Sequence, residues 1–263
     1  IQRFTVEDVT PPETSVWSHS YLDTWSDSDV GVFIDRPTDG LAGPVETRLA
    51  LDGEDQGAVW SSGQDTWQSS QRYLVVSKEG TTTLGVSAVD AFGNREETQT
   101  VVVKIDRHAP EATVTVSPSG WTTGTATVSV DATDSGSGVS SISYWLNGGL
   151  ANPLPYDEAF TIDSEGATAV GVKVLDAAGF ATIRGGYAKI DRTPPVTRLD
   201  VWDHQISENQ WGVMLWATAT GDGAELEQGG VSTYWVVDDG PVPQVGQHLL
   251  VSIPGTHTVE YWS

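Results

Sequence analysis

The chain has 263 residues, with 13 Lys and Arg against 36 Asp and Glu and a formal net charge of −23. That balance lacks the electrostatic footprint of a nucleic-acid binder and disfavours adsorption to anionic lipid. Cysteine is absent, which excludes a disulfide framework and a thiolate metal site, and no apolar run reaches membrane-spanning length, so no direct membrane insertion is expected.

The first landmark in chain order is Val6-Glu7-Asp8-Val9-Thr10-Pro11-Pro12. It is a worn copy of a phrase that returns as Lys104-Ile105-Asp106-Arg107-His108-Ala109-Pro110 and again as Lys189-Ile190-Asp191-Arg192-Thr193-Pro194-Pro195. A phrase repeated at that separation marks one small β-domain per copy in an array. The expected divisions are 1–8, the last strand of a preceding module; 9–106, a first module; 107–191, a second; and 192–263, a third that lacks its last strand.

Between the phrases the apolar residues alternate with period two, which is the strand signal, and no stretch holds a helical period over three turns. In the second copy Ala126 to Ala132 alternates, Ile142, Tyr144 and Leu146 share one face, and so do Val170, Val172 and Val174. The run Gly80 to Asp90 matches Gly166 to Asp176 and also Gly255 to Ser263, where the third copy stops short of its aspartate. In the first two copies a turn follows, Asp90-Ala91-Phe92-Gly93-Asn94 and Asp176-Ala177-Ala178-Gly179-Phe180. There glycine supplies positive φ and aspartate caps. The fold class expected is all-β.

The order Asp131 to Val139 (Asp-x-x-Asp-Ser-Gly-Ser-Gly-Val), then Tyr144 to Gly149, then Glu165 to Val170, then Asp-Ala-Ala-Gly and the Ile-Asp-Arg phrase resembles the bacterial immunoglobulin-like repeat. The resemblance covers nearly the whole chain and is best in the second copy. It implies tandem immunoglobulin-like β-sandwich modules arranged end to end, about seven strands in each. Such repeats occur in cell-surface adhesins and as accessory modules of secreted glycoside hydrolases. The first copy departs by an insertion running from Gly53 to Tyr73, the third at Gly221 to Gly230. The repeated phrase closes one module and opens the next, leaving almost no free linker, and its prolines stiffen the passage.

Catalysis is not expected. The five histidines, His19, His108, His204, His248 and His257, have no metal-ligand spacing, and no nucleophile elbow, phosphate loop or dinucleotide fingerprint is present. The acidic loops carry more. In the topology that the resemblance implies, the incoming linker, the loop after the second strand and the turn before the last strand lie at one pole. Asp106, Asp131, Asp134 and Asp176 should therefore converge, as hard oxygen ligands suited to calcium. The same residues equally serve as turn and cap residues with no ion.

Eleven tryptophans need an account. Trp25 and Trp121 stand at matching places before Val32 and Val128, which points to packing. Trp145 and Trp235 follow Tyr144 and Tyr234, so the members of each pair face opposite ways. Trp60 and Trp67 lie in the polar insertion with Gln64, Asp65 and Gln68; they form either a stacking platform for sugar rings or a cover folded over an open end of the sandwich.

The expected function is a non-catalytic stalk or adhesion segment of a large extracellular bacterial protein, at the cell surface, meeting a host or cell-surface protein or glycan. The alternative is a set of glycan-binding accessory modules of a secreted carbohydrate-active enzyme. A third module without its last strand should leave a slot in its sheet, so strand-exchange self-association with Ile1 to Asp8 of a neighbour is a further expectation.

Overall fold

In the computed structural model, residues 7–19, 22–41, 43–61, 71–208, 210–218, 232–240, 242–246, 248–251 and 256–263 are described. Residues 1–6 of the expected leading strand, Trp67, and Gly221 to Gly230 lie outside them. The described residues form strands and turns with no α-helix, so none is long and apolar enough to cross a membrane. The protein is all-β. Its residues fall into two compact units, one of 1–112 with 132–142 and 173–183, the other of 113–131 with 143–172 and 184–263. Asp106 and the loop and turn of the second repeat thus belong to the same unit.

The first repeat has eight strands: β1 (Val16–Ser18), β2 (Trp25–Ser26), β3 (Val30–Asp35), β4 (Pro44–Leu51), β5 (Glu54–Ser61), β6 (Gln71–Val76), β7 (Gly80–Asp90) and β8 (Gln99–Ile105). They form two sheets, ordered β1-β3-β6 and β2-β8-β7-β4-β5. Both sheets turn their apolar faces into one core. Val30, Val32, Ile34 and Val76 come from the three-stranded sheet, and Leu49, Leu84, Val86, Val103 and Ile105 from the five-stranded one. Full burial of each such side chain stabilises by about 1.5–3 kcal/mol. This is a sandwich with the strand order of an immunoglobulin-like module.

The second repeat follows the same plan with β9 (Glu111–Ser117), β10 (Trp121–Thr122), β11 (Ala126–Thr133), β12 (Val139–Leu146), β13 (Leu154–Pro155), β14 (Phe160–Ile162), β15 (Gly166–Asp176) and β16 (Ala181–Ile190). Its sheets are β14-β11-β9 and β10-β16-β15-β12-β13, strand for strand the order of the first. The two half-buried tryptophans match as well. Trp25 of β2 pairs in parallel with Lys104, and Trp121 of β10 with Lys189, whose ammonium stands 6.0 Å from the indole.

The third repeat contains β17 (Val196–Ser207), β18 (Gln210–Thr218), β19 (Tyr234–Val237), β20 (Gln244–Val245), β21 (His248–Val251) and β22 (Val259–Trp262), in sheets β17-β18-β21 and β20-β19-β22. Among the described residues β22 lies at the edge of its sheet, whereas its counterparts β7 and β15 each lie between two neighbours.

Strand parity positions the acidic groups. Along β7, Thr82, Leu84, Val86 and Ala88 point inward, and the next residue of that parity is Asp90, 3% exposed. Along β15, Thr168, Val170, Val172 and Val174 lead in the same way to Asp176, 2% exposed. Each carboxylate is carried below the surface because it ends a buried row.

Candidate functional site

The repeated phrase grips the repeat before it, and at Asp106 it grips the repeat after it as well. Asp106 and Asp191 donate their backbone N–H to Ser26 and Thr122, each at 2.9 Å, which seats both linkers against the β2 and β10 segments. Arg107 then reaches back over the first repeat. It donates to the Ser77 carbonyl at 3.0 Å, pairs with Asp29, and stands 3.7 Å from Glu79. Arg192 does the same in the second repeat, with the carbonyls of Thr123 and Asp163 at 3.0 Å and of Gly124 at 3.3 Å, and with the Asp163 carboxylate. A planar guanidinium with five donors suits several fixed acceptors at once.

Asp106 reaches forward. Its Oδ1 accepts the His108 N–H at 3.0 Å and its Oδ2 the Ser137 N–H at 2.7 Å, in the loop between β11 and β12. Asp134 of that loop accepts Gly136 N–H at 3.1 Å and Gly138 N–H at 2.6 Å, both on Oδ2. Asp176 accepts Gly179 N–H at 2.7 Å and Phe180 N–H at 2.8 Å, both on Oδ1. Burial pushes the Asp106 carboxyl up, but the bonds from Ser137 and His108 outweigh it and hold the group below the usual carboxylate range.

One ligand oxygen from each of Asp106, Asp134 and Asp176 lies within 4.8 Å of the others. Turn chemistry therefore orients these carboxylates without exhausting them. Asp176 spends Oδ1 on the turn, and its buried Oδ2 has no hydrogen-bond partner among the described residues. Oxygens that share one calcium at 2.3–2.6 Å are at most about 5 Å apart, so the spacing fits such an ion. Asp131 is not in the group. β11 continues through it to Thr133, and alternation turns its side chain outward, beside buried Val130.

A second group has the same form in the first repeat: Asp8, Asp39 and Asp90, again with ligand atoms within 4.8 Å of one another. Asp8 is the aspartate of the worn phrase and accepts Thr10 N–H at 3.0 Å, as Asp106 accepts His108. Asp90 accepts Phe92 N–H at 2.9 Å and Asn94 N–H at 2.8 Å, the counterpart of the Asp176 turn. It also receives the Asn94 side-chain amide at 2.7 Å. Burial raises the Asp90 pKa, and the bonds from Asn94, Phe92 and Gly93 together take it below its ordinary value.

The aromatic candidates behave differently. Trp60 is 7% exposed, on β5 opposite Thr47, and the Arg36 guanidinium lies 5.1 Å from its ring. It offers no open face for a sugar. Elsewhere on the first repeat, Trp17 and Phe33 stack at 4.3 Å, His19 meets both edge-on, and Phe33 lies 4.9 Å from Tyr73. Of these contacts only Trp17 on Phe33 is a face-to-face stack, formed across β1 and β3 as a cross-strand pair, and Tyr73 on β6 stays exposed. Of the histidines, His257 bonds Asp238 at 2.6 Å through Nδ1, and His108 stands 3.4 Å from Glu79.

No protein-family model matches the chain, and no curated protein does. Among solved structures, the fibronectin(III)-like modules of Clostridium thermocellum CbhA are 15% identical over 67% of this chain and 95% of that one, with a TM-score of 0.34. A tetra-tandem repeat from the extending region of a large adhesion protein is 16% identical over 97% of this chain and 66% of its own, at a TM-score of 0.39. A 1.5-MDa bacterial ice-binding adhesin is 13% identical over 93% and 88% of the two chains, at 0.35. Likeness at this level leaves function to be argued from the chain's own residues.

Proposed function

We propose that the chain is a non-catalytic stalk segment of a large extracellular bacterial protein, built from bacterial immunoglobulin-like repeats and meeting a host or cell-surface protein or glycan. The observation that carries this reading is the joint at Asp106 and Arg107. Two adjacent residues grip in opposite directions, the arginine onto Ser77 and Asp29 of the first repeat and the aspartate onto the Ser137 loop of the second. A linker held on both sides has little freedom to bend, which is what a spacer requires.

Calcium at Asp106, Asp134 and Asp176 completes the joint in this proposal. An ion bound only by the folded chain stabilises it by mass action, about 2.7 kcal/mol at a hundred times Kd. The test is thermal melting of the full chain in calcium and in chelator. Calcium raises the melting temperature, and Asp106→Asn or Asp176→Asn removes the part of the increment that this joint contributes. Absence of any shift at millimolar calcium overturns the clamped joint. Retention of the chain on insoluble polysaccharide moves it to the accessory-module reading.

A further inference from the structure

We propose that the first repeat holds a cation site of its own, formed by Asp8, Asp39 and Asp90, so that the chain binds one calcium ion at this pole and one at the Asp106 pole. The count of two rests on the Asp106 reading above; the first-repeat site stands on its own oxygens.

Three acidic residues at one pole would not by themselves make a site. What points to a ligand is the state of their oxygens. Asp8 is buried, 7% exposed; its Oδ1 takes the Thr10 amide, while its Oδ2 lies buried with no hydrogen-bond partner among the described residues. Neither carboxylate oxygen of Asp39 has a partner either, although both are shielded from solvent. An anionic oxygen taken out of water without a bond is strongly unfavourable, and one ligand oxygen from each of Asp8, Asp39 and Asp90 lies within 4.8 Å of the others. No ion pair reaches any of the three aspartates among the described residues. A cation in their midst would take one oxygen from each of the three aspartates.

The ligand chemistry selects the ion. The donors are carboxylates, with no histidine or cysteine among them, which is a set for a hard cation. Asp90 ends β7, while Asp8 precedes β1 and Asp39 lies between β3 and β4; calcium tolerates the irregular coordination of such a set where magnesium demands a near-ideal octahedron. The two poles also differ. Asn94 donates one amide to both Asp90 Oδ2, at 2.7 Å, and the Asp8 carbonyl, at 3.0 Å. At the matching place the second repeat has Phe180, and Asp176 Oδ2 is left bare. In the first repeat Oδ2 of the turn aspartate already accepts an amide N–H, and Asp8 and Asp39 are the residues with oxygens to give.

Native mass spectrometry and calorimetric titration of the metal-stripped full chain with calcium chloride test this. The expected result is two ions per chain, falling to one in Asp39→Asn, to one in Asp176→Asn and to none in the double variant. In chelator, Asp39→Asn melts no lower than wild type, since its oxygens accept no bond in the ion-free state; a turn-forming aspartate would melt lower. Asp8→Asn gives a second variant should Asp39→Asn fold poorly. One ion that is lost with Asp176→Asn and kept with Asp39→Asn overturns this site and leaves the Asp106 joint standing. One ion that is lost with Asp39→Asn and kept with Asp176→Asn overturns the joint and leaves this site. No binding at millimolar calcium overturns both.

Discussion

The carboxylate of Asp106 fills the space into which a side chain at Gly136 would project: a Cβ built there collides with all three carboxylate atoms. The first glycine of the loop is thus set by the linker residue that docks beside it. Gly136→Ala must push Asp106 off the Ser137 amide or distort the loop. The expected cost is about 1–3 kcal/mol, as for other overpacked sites, together with loss of the calcium increment of the Asp106 joint. Gly120→Ala is the control, because nothing lies within 4 Å of its Cβ and its φ is ordinary. It should stay within about 0.5 kcal/mol of wild type. Equal urea midpoints for the two variants would remove the steric link.

Much of this geometry is legible in the residue pattern, and the exceptions have physical causes. The alternation from Leu84 to Ala88 and from Val170 to Val174 locates Asp90 and Asp176 on the buried parity of their strands. The worn phrase places Asp8 beside Asp106 by analogy. Asp131 illustrates the opposite case: the row Ala126, Val128, Val130 is inward, so the neighbour of Val130 must face out, and strand parity decides against loop proximity. Asp39 was not legible. Its Pro37-Thr38-Asp39-Gly40 segment shares no pattern with Asp134-Ser135-Gly136-Ser137-Gly138, and only the fold brings it to the pole. Trp60 misleads for a related reason. It borders a polar insertion but is still part of β5, whose pairing with β4 puts it inside.

Trp60 yields a prediction of stability. A buried tryptophan truncated to alanine costs about 3–5 kcal/mol. Trp60→Ala should therefore lower the unfolding midpoint of the first repeat sharply, read as the loss of its fluorescence transition in urea. A variant that folds as stably as wild type would contradict the buried placement and return the residue to the surface.

Asn94 links the turn to the phrase by two bonds from one amide, to Asp90 Oδ2 and to the Asp8 carbonyl. Asn94→Ala strips both, leaving a buried carboxylate oxygen bare. The expected loss without calcium is about 1–3 kcal/mol. With calcium the loss should shrink, because the ion can take over Asp90 Oδ2 as it would take Asp176 Oδ2. Chemical denaturation in calcium and in chelator measures the difference, and a penalty unaffected by calcium argues that no ion reaches Asp90.

Asp52 offers a pH test away from both poles. Lys78 Nζ donates to its Oδ2 at 2.7 Å and the Thr83 N–H to its Oδ1 at 2.9 Å, and these bonds, the lysine's foremost, hold its carboxyl below the usual value. A lowered folded pKa means the bonds stabilise the fold above the ordinary carboxylate range. The contribution is then lost as the pH falls through the folded pKa. In a carbon-detected NMR titration Asp52 should titrate below about 3.9, the unperturbed aspartate value, and Lys78→Ala should raise it. An unchanged midpoint in that variant would show that the ion pair of the side chains does not persist in solution.

Arg192 tests whether the backward grip depends on the guanidinium shape or only on charge. Its donors reach three backbone carbonyls, of Thr123, Gly124 and Asp163, as well as the Asp163 carboxylate. An exposed ion pair alone contributes about 0–1 kcal/mol and fades in salt. Bonds to fixed carbonyls from one planar fork do not reduce to charge, so lysine, a point charge with three rotating donors, is a poor substitute. Arg192→Lys should thus resemble Arg192→Ala more than wild type. The sensitive readout is native-state hydrogen exchange at the amides of Asp191, bonded to Thr122, and of Arg192, bonded to Glu165. Both should lose protection in either variant, with little dependence on salt. Full protection in Arg192→Lys at low salt, lost at high salt, would mean that charge alone secures the linker.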